Sequence, residues 1–510
     1  MERDIKEVLI VGGGDVGLLT ALSLREIDTN LRIKVVDDLS SPPPRVGKST
    51  FSAIMDLLHD FLGIDETTFA HTVKPIWKGT VWFRGWGESP DFHYPFAHGF
   101  PSFEEAHRHE TLHAIYSNPY LTATPGQAIA EQGKTPWDYN PRGGGFQRYP
   151  QVAYHLPINA FWEFIKDRCE SKNISLVDDK VEAAISSGSQ VDAIAGRSST
   201  YEADLYIDAT GFNPVIQGQI PESSFVEFDL PLDRALRTSY ERPLAEVIPS
   251  TVVEGHDEGW FWTIDTFNMR DRGFVYSSQF TSDDTAREIF LDQVDNSLDP
   301  NQVECYPFES GYLAEPWIEN HLTIGNAAGF VEPLQSTALT TNLQFAKFLA
   351  YLLNSTGFSH DDRIRDTYNQ FFESVWNNIY SFVFIHYAFN RTDAPLWKYM
   401  RTLELPPLAA EYYHDYDVYG LPYYEKPQTG FKMEPDGRTF SGSPFSKEDF
   451  FHLLVSMGVR SSYHESLDAE PNETAERGRQ ELKDRINAEV SEYHDYLEFY
   501  NVLLDQGTPS

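Results

Sequence analysis

The chain opens on a continuous apolar run, Val8-Leu-Ile-Val11, of the kind that suits a strand buried on both faces of a parallel sheet. A glycine-rich turn from Gly12 to Gly17 follows, and Leu18 to Glu26 then carries helical periodicity. Arg32-Ile-Lys-Val-Val36 predicts a second strand, ending in Asp37. Strand, turn, helix and strand compose one βαβ unit. Between 87 and 150 the pattern weakens into Pro, Gly, His and aromatic residues, which predicts long ordered loops over a pocket. Periodic helix and strand return from 151 to 210, closing on the run Asp204-Leu-Tyr-Ile-Asp208. An antiparallel sheet is expected from about Phe225 to Phe280. A strand from Leu322 to Asn326 then feeds a loop and the apolar helix Leu339 to Leu353. Beyond residue 400 the composition turns Tyr- and Pro-rich (Leu403 to Tyr424) and ends in a charged helical tail, Glu476 to Leu504.

This pattern predicts an α/β plus α protein. A Rossmann-type core is expected over 1–86 and 151–355 with an inserted antiparallel sheet, loops inserted at 87–150, and a mainly helical region over 356–510. At 510 residues the chain exceeds the usual span of one core, so more than one packed unit is expected. The formal charge of −37 repels nucleic acid and anionic lipid and argues against both as partners. Cys169 and Cys305 are the only cysteines and form no CxxC pair, so a reducing cytoplasm is the expected setting. The start lacks the basic end and long apolar stretch of a signal peptide. His107 and His109 stand close together, but no third ligand accompanies them and no metal site is expected. No GxSxG elbow appears, which leaves a serine hydrolase unsupported.

Gly12, Gly14 and Gly17 form a GxGxxG turn between strand and helix, the context that dinucleotide binding requires. The first glycine permits the tight turn, the second lets backbone approach a pyrophosphate, and the third brings helix onto strand. The helix N-terminus offers free N–H groups to phosphate. Asp37, 20 residues after Gly17, is placed to accept hydrogen bonds from a ribose. A bare GxGxxG is equally an ordinary turn, and this one does not separate NAD from FAD. Two later segments do: Asp208-Ala-Thr-Gly-Phe212 after a strand, and Gly325-Asn-Ala-Ala-Gly329 before a helix. The latter resembles the Gly-Asp-Ala segment of the flavoprotein monooxygenase superfamily, with Asn326 at the usual Asp position, which implies FAD.

Five further segments, in order, resemble the flavin-dependent tryptophan halogenase family over roughly residues 8 to 400. They are Val46-Gly-Lys-Ser-Thr50; Lys78-Gly-Thr-Val-Trp-Phe83 with Trp86; Trp260-Phe-Trp262-Thr-Ile264; Glu332-Pro-Leu-Gln-Ser-Thr337; and His386-Tyr387 followed by Arg391, Asp393, Pro395 and Trp397. The resemblance implies a halogenase that takes reduced FAD from a separate NAD(P)H-dependent flavin reductase. With O2 and halide it forms hypohalous acid, which passes to a small aromatic substrate. It implies catalytic roles for Lys78, Gln335 and Ser336, and halide binding at the backbone of Thr337 and Ala338. Beside the glycine and acidic positions above, it implies flavin contacts from Val16, Lys48, Ser49, Thr50, Ala327 and Leu334. Trp260, Trp262 and Ile264 are expected next to the flavin, where bulky rings keep substrate from reaching it directly. A lysine suits the relay because its compact ammonium donates hydrogen bonds, while a buried amine has a lowered pKa and acts as a nucleophile. Lys78 is equally a solvated surface lysine by type, and Lys74 is a competitor with poorer spacing.

The chain departs from the family at several points. Lys48 replaces a common acidic residue, and Asp265 stands where the Trp-x-Trp-x-Ile signature ends in Pro. Gln335 replaces the family's catalytic Glu and cannot act as a carboxylate base. Asp265 is either a compensating base or a strand-end turn residue. Gln335 in place of Glu predicts a preference for activated rings (phenols, indoles or anilines, free tryptophan among them) and for the softer halides, bromide or iodide, with chloride also a candidate. Tyr94-Pro-Phe96 lies where the family sandwiches its indole, so Tyr94 and Phe96 are candidate substrate-lining residues. Two other readings stay open: an FAD-dependent aromatic monooxygenase, and a non-catalytic flavin-binding protein.

Overall fold

Val8 to Val11 are each at most 1% exposed because strands flank them on both sides and packed layers cover both faces. In the computed structural model the strand Glu7–Val11 pairs in parallel with Arg32–Asp37 and with Leu205–Asp208. Ser175–Asp178 extends the sheet beyond Arg32–Asp37, and His321–Thr323 extends it beyond Leu205–Asp208. The antiparallel edge pair Trp317–Ile318 completes six strands. The structure describes residues 4–39, 48–87, 91–96, 124–140, 145–219, 223–294, 302–359, 361–420, 431–432, 439–466 and 473–505.

One face of this sheet packs against helix Asp15–Ile27, which lies against helices Thr337–Ser355 and Ile158–Ser171. The other face, with Leu9, Val11 and Tyr206, is closed by Val191, Ile194 and Tyr201 of a small antiparallel sheet.

The expected antiparallel sheet is present and larger than the pattern predicted. Seven strands run in the order Glu304–Pro307, Arg234–Glu241, Met269–Tyr276, Gly259–Asp265, Thr251–His256, Thr80–Arg84, Phe92–Pro95. Its last two strands come from the N-terminal part of the chain, and Thr80–Arg84 joins Thr251–His256 in parallel. The expectation of loops over 87–150 is corrected in part. That stretch contains the strand Phe92–Pro95, a helix Pro125–Gln132 opened by the Thr124 hydroxyl, and a hairpin of Trp137–Asn140 with Gly145–Arg148. Aromatic and small residues hid these elements because they are held by packing against distant segments rather than by local periodicity. Gly79 and Gly126, for instance, press backbone against backbone, where a Cβ on Gly79 would lie 2.5 Å from the Gly126 Cα.

The 27-residue helix Asp362–Ala388 is capped by the Asp361 carboxylate and buries Phe371, Phe372, Trp376 and Phe382. Of the expected charged tail, Glu473–Ser491 and Tyr496–Asp505 are separate helices. Tyr496 donates to the Trp77 carbonyl at 2.6 Å and Tyr500 to that of Pro75, so the final helix clamps the strand Ile76–Lys78. One apolar core runs from Ile5 to Leu503. Among the described residues no helix is long and apolar enough to cross a membrane.

Candidate active site

A cavity of about 960 Å³ opens at the carboxyl ends of the parallel strands, where open α/β sheets take their ligands. Its walls are the Gly12 turn and Asp37, the strands bearing Thr251, Trp260 and Trp262, and the segment from Gly325 to Asn342. The glycine turn behaves as its spacing predicts. Gly12 has φ +107°, and a Cβ on Gly17 would stand 1.9 Å from the Gly12 carbonyl oxygen. Asp37 receives the Gly13 N–H at 2.7 Å, which fixes its carboxylate at the cavity edge. Gly325, at φ +77°, packs its turn onto Val16, and Asn342 accepts the Gly325 N–H at 2.9 Å. The cavity's size, its glycine cradle and its edge carboxylate fit a dinucleotide of FAD dimensions. Lys48, with Asp15 as its ion-pair partner, adds a cation to the rim beside the first turn of the helix.

Lys78 is fully buried. Its Nζ donates to Thr251 Oγ1 at 2.8 Å and to Ser336 Oγ at 3.4 Å, and lies 5.2 Å from the Phe96 ring centre. Burial pushes its ammonium well below the usual lysine range. Thr251 also meets Ser49 Oγ at 2.8 Å and His155 Nε2 at 2.9 Å. His155 is buried, and its Nδ1 faces the Asp265 carbonyl oxygen at 2.9 Å. Burial, and next the Lys78 charge, hold its pKa well below the ordinary imidazole value. Lys74, the competitor, ends its helix in a left-handed conformation and lies over Phe267 instead.

Gln335 and Ser336 both have left-handed backbone, φ 65° and 59°, just before helix Thr337–Ser355. Two consecutive non-glycine residues in that region store strain, a feature concentrated at functional sites. The bend turns the Ser336 hydroxyl away from its cap position toward Lys78, and leaves Thr337 and Ala338 lining the cavity at the helix's positive end.

Gln335 is explained by its neighbour. His386 Nδ1 faces the Phe382 carbonyl and must carry the hydrogen, while burial holds the ring neutral with a pKa of about 3. Its Nε2 is therefore an acceptor, and the Gln335 amide donates to it at 2.8 Å. A carboxylate at 335 would meet that lone pair with another.

The tryptophan pair lies on one face of its strand, ring centres 6.1 Å apart. Trp262 covers Gly273, where any Cβ would enter its ring. Trp260 Nε1 donates to the Tyr387 hydroxyl at 2.9 Å, which donates to Glu332 Oε2 at 2.8 Å. Trp86 donates to the His386 carbonyl, and Trp397 stacks on Tyr387, so the distant family-like segments meet here. Glu332 lines the cavity, and burial raises its pKa to about 8.

Most of the named residues gather at this cavity, but several stand behind it. Ile264 and Asn326 line it, whereas Thr50, Asp208 and Leu334 are buried behind it as turn and core residues, and Ala327 sits inside the Gly325 turn. Tyr94 turns away: its hydroxyl donates to Asp449 at 2.6 Å among Phe382 and His452. Asp265 is bound by Arg242 and Arg270 and accepts the Ile248 N–H, which leaves it no free carboxylate to work as a base. Val46, Gly47, His107 and His109 fall outside the described residues. Thr251, His155 and Glu332 were not picked out as site residues, because each is a lone polar residue within a strand or motif read for other positions. The one available signal was a histidine inside the apolar strand Ala153–Leu156.

A family model described as Tryptophan halogenase matches residues 7–472. The tryptophan 7-halogenase KtzQ of Kutzneria sp. (strain 744) is 25% identical, over 82% of this chain and 83% of that protein. The tryptophan 7-halogenase RebH of Lentzea aerocolonigenes is 24% identical over 79% and 80% of the two chains. Among solved structures, the flavin-dependent halogenase BrvH from Brevundimonas sp. BAL3 superposes with a TM-score of 0.80 at 22% identity, covering 98% of this chain and 99% of that one.

Proposed function

Since this chain belongs to the tryptophan halogenase family, and so is a flavin-dependent enzyme using FADH2, O2 and halide, we propose that it halogenates an electron-rich aromatic ring by way of Lys78. The observation that carries this reading is the buried Lys78 amine, held by Thr251 and Ser336 between the cavity and Phe96. In this reading Gly12, Gly14, Val16, Asp37, Lys48, Ser49, Gly325 and Asn326 hold FAD, and the Thr337 and Ala338 backbone holds halide. Bound reduced FAD, with O2 and halide, supplies hypohalous acid. Trp260 and Trp262 keep the ring of the substrate from the flavin, and Lys78 receives the reagent on the far side.

Gln335 offers a hydrogen bond where the family has a carboxylate, so this site gives the ring proton less help. That favours phenols, indoles and anilines, free tryptophan included, and bromide or iodide over chloride. A separate NAD(P)H-dependent reductase supplies the reduced flavin, and the two free thiols suit a cytoplasmic setting.

The test is mass spectrometry of products from the protein with FAD, a flavin reductase, NADH and oxygen. Phenol, indole and tryptophan are each offered with chloride, bromide and iodide. Halogenated product is expected, falling by about 10²- to 10⁴-fold in Lys78→Ala. Oxygenated product, or fast reduction of bound flavin by NADPH alone, would replace this reading with a monooxygenase. An unchanged product range in Gln335→Glu would remove residue 335 from the account of specificity.

A further inference from the structure

We propose that Thr251 and His155 are positioning residues that take the proton of Lys78 and so present it to the halogenating reagent as a neutral amine. The inference rests on the lysine relay proposed above and goes beyond it, because it assigns a proton acceptor, the buried His155, reached through the cavity-lining Thr251.

The hydrogen-bond directions are determined. The Asp265 carbonyl can only accept, so His155 Nδ1 carries a hydrogen. A neutral ring then leaves Nε2 as an acceptor, and Thr251 is the donor to it at 2.9 Å. A hydroxyl has one hydrogen and two lone pairs, so Thr251 must accept from both Lys78 Nζ and Ser49 Oγ, each at 2.8 Å. Every donor between the lysine and the imidazole therefore points toward His155. A proton moves along the row in one concerted shift: Nζ–H to Thr251 Oγ, and the Thr251 hydrogen to His155 Nε2. Thr251 then donates to Ser49, whose hydroxyl takes either direction, and the Nζ lone pair is free.

The chemistry that follows balances. Nζ takes the halogen of hypohalous acid as the O–X bond breaks, and the departing hydroxide removes one Nζ proton as water. The ring carbon then takes the halogen as N–X breaks, the ring proton returns to Nζ, and His155 gives back its own proton.

The pocket favours one proton for the two groups rather than two. Burial disfavours charge on both, and the Lys78 charge further lowers the affinity of His155 for a proton. The other titratable or charged groups on the surrounding elements are Arg242 and Asp265 behind His155, and Lys48 with Asp15 next to Ser49. Glu332 and His386 lie beyond Ser336, and His93 bonds Thr80, itself bonded to Ser250.

Full-length protein labelled with 13C at the lysine Cε tests this without any turnover, the Lys78 resonance being assigned by its loss in Lys78→Arg. At pH 7 the wild-type resonance should lie between the charged and neutral limits. It should move to the charged limit in His155→Gln and Thr251→Val, and stay with wild type in Thr251→Ser. With bromide and indole, His155→Gln should displace the acid limb of the kcat profile upward and lower kcat at pH 7 by about tenfold or more. KM for indole and the FAD Kd, which also reports intact folding, should hold. A Lys78 resonance and pH profile that do not respond to His155→Gln would overturn the proposal. Halogenation that survives in Lys78→Arg would instead sink the relay reading, whatever the resonance does.

Discussion

The two ends of the cavity are built by different physics. The dinucleotide end is built on one local unit, a strand, a glycine turn and a helix, with Gly17 pressed on Gly12 and Asp37 holding the Gly13 N–H. Only its outer contacts, Ala209 on Gly12 and Gly325 on Val16, come from far along the chain. The lysine end is assembled from segments far apart in sequence. Lys78 meets Thr251 across 173 positions and Ser336 across 258, with a carbonyl clamp from Tyr496 on the preceding residue. The first end binds by backbone geometry and stores no evident strain. The second holds a buried amine, a buried imidazole and two left-handed residues in succession. A site that must bind a common cofactor can be simple, whereas one that must tune a proton is expensive in packing and conformation.

The largest effect that would sharpen this contrast is Gly17→Ala. Its Cβ must displace the Gly12 carbonyl, so FAD binding followed by flavin fluorescence should be lost, with a stability cost on the order of 3 kcal/mol or more. Lys78→Ala, by contrast, should leave the FAD Kd within about threefold, a difference below about 1 kcal/mol. Equal loss of FAD binding in both would show that the two ends are not separable.

Asp265 comes next. It is fully buried with Arg242 and Arg270 on its carboxylate, and its backbone carbonyl orients His155. Asp265→Asn leaves Arg242 buried without its counter-charge, which should cost about 3 kcal/mol in urea unfolding. Loss of activity with no loss of stability would instead make Asp265 a base.

The same contrast explains what could be read from the chain. Val8 to Val11, the glycine turn, Asp37 and the helix at Leu339 follow from local periodicity and turn chemistry, and they stand where the pattern put them. Family-like segments pointed to Lys78 and Trp260, yet no local rule could show that Thr251 and His155 converge on that lysine. Tyr94, expected near substrate by analogy of spacing, donates its hydroxyl to Asp449 of a C-terminal helix, a partner no local rule could show, while Phe96 two residues on lies at Lys78. Gln335 looked like a lost catalytic group. Only its neighbour His386, held neutral by burial and in one tautomer by the Phe382 carbonyl, shows an amide fitted to its partner.

Glu332 gives a pH test of the strained end. Burial raises its pKa from the ordinary carboxyl value to about 8 in the folded protein. A raised folded-state pKa means that the protonated form is the stabilising one. Its contribution is complete below the unfolded value of about 4.3 and is lost as pH climbs toward about 8. Wild-type protein should therefore lose stability relative to Glu332→Gln between about pH 5 and pH 8, with the gap constant above that range. Urea midpoints at four or five pH values decide it, and parallel curves would mean that Glu332 is solvated.

The smallest predicted effect bears most directly on whether strain serves function. Ser336 holds φ 59° with no side-chain cap to its helix, and its hydroxyl instead meets Lys78. Glycine takes the left-handed region at no steric cost, so Ser336→Gly relieves strain worth about 1 kcal/mol, partly offset by the greater freedom of glycine in the unfolded chain. A net gain of a few tenths of a kcal/mol is expected, read as a small rise in Tm. Halogenation should fall, because Lys78 loses one of the two hydroxyls that fix its amine. Stability rising while activity falls would show that the bend at Gln335 and Ser336 is maintained for the lysine. If both fell together, the Ser336 hydroxyl would be holding the turn itself, and the division between a simple binding end and a costly reactive end would need redrawing.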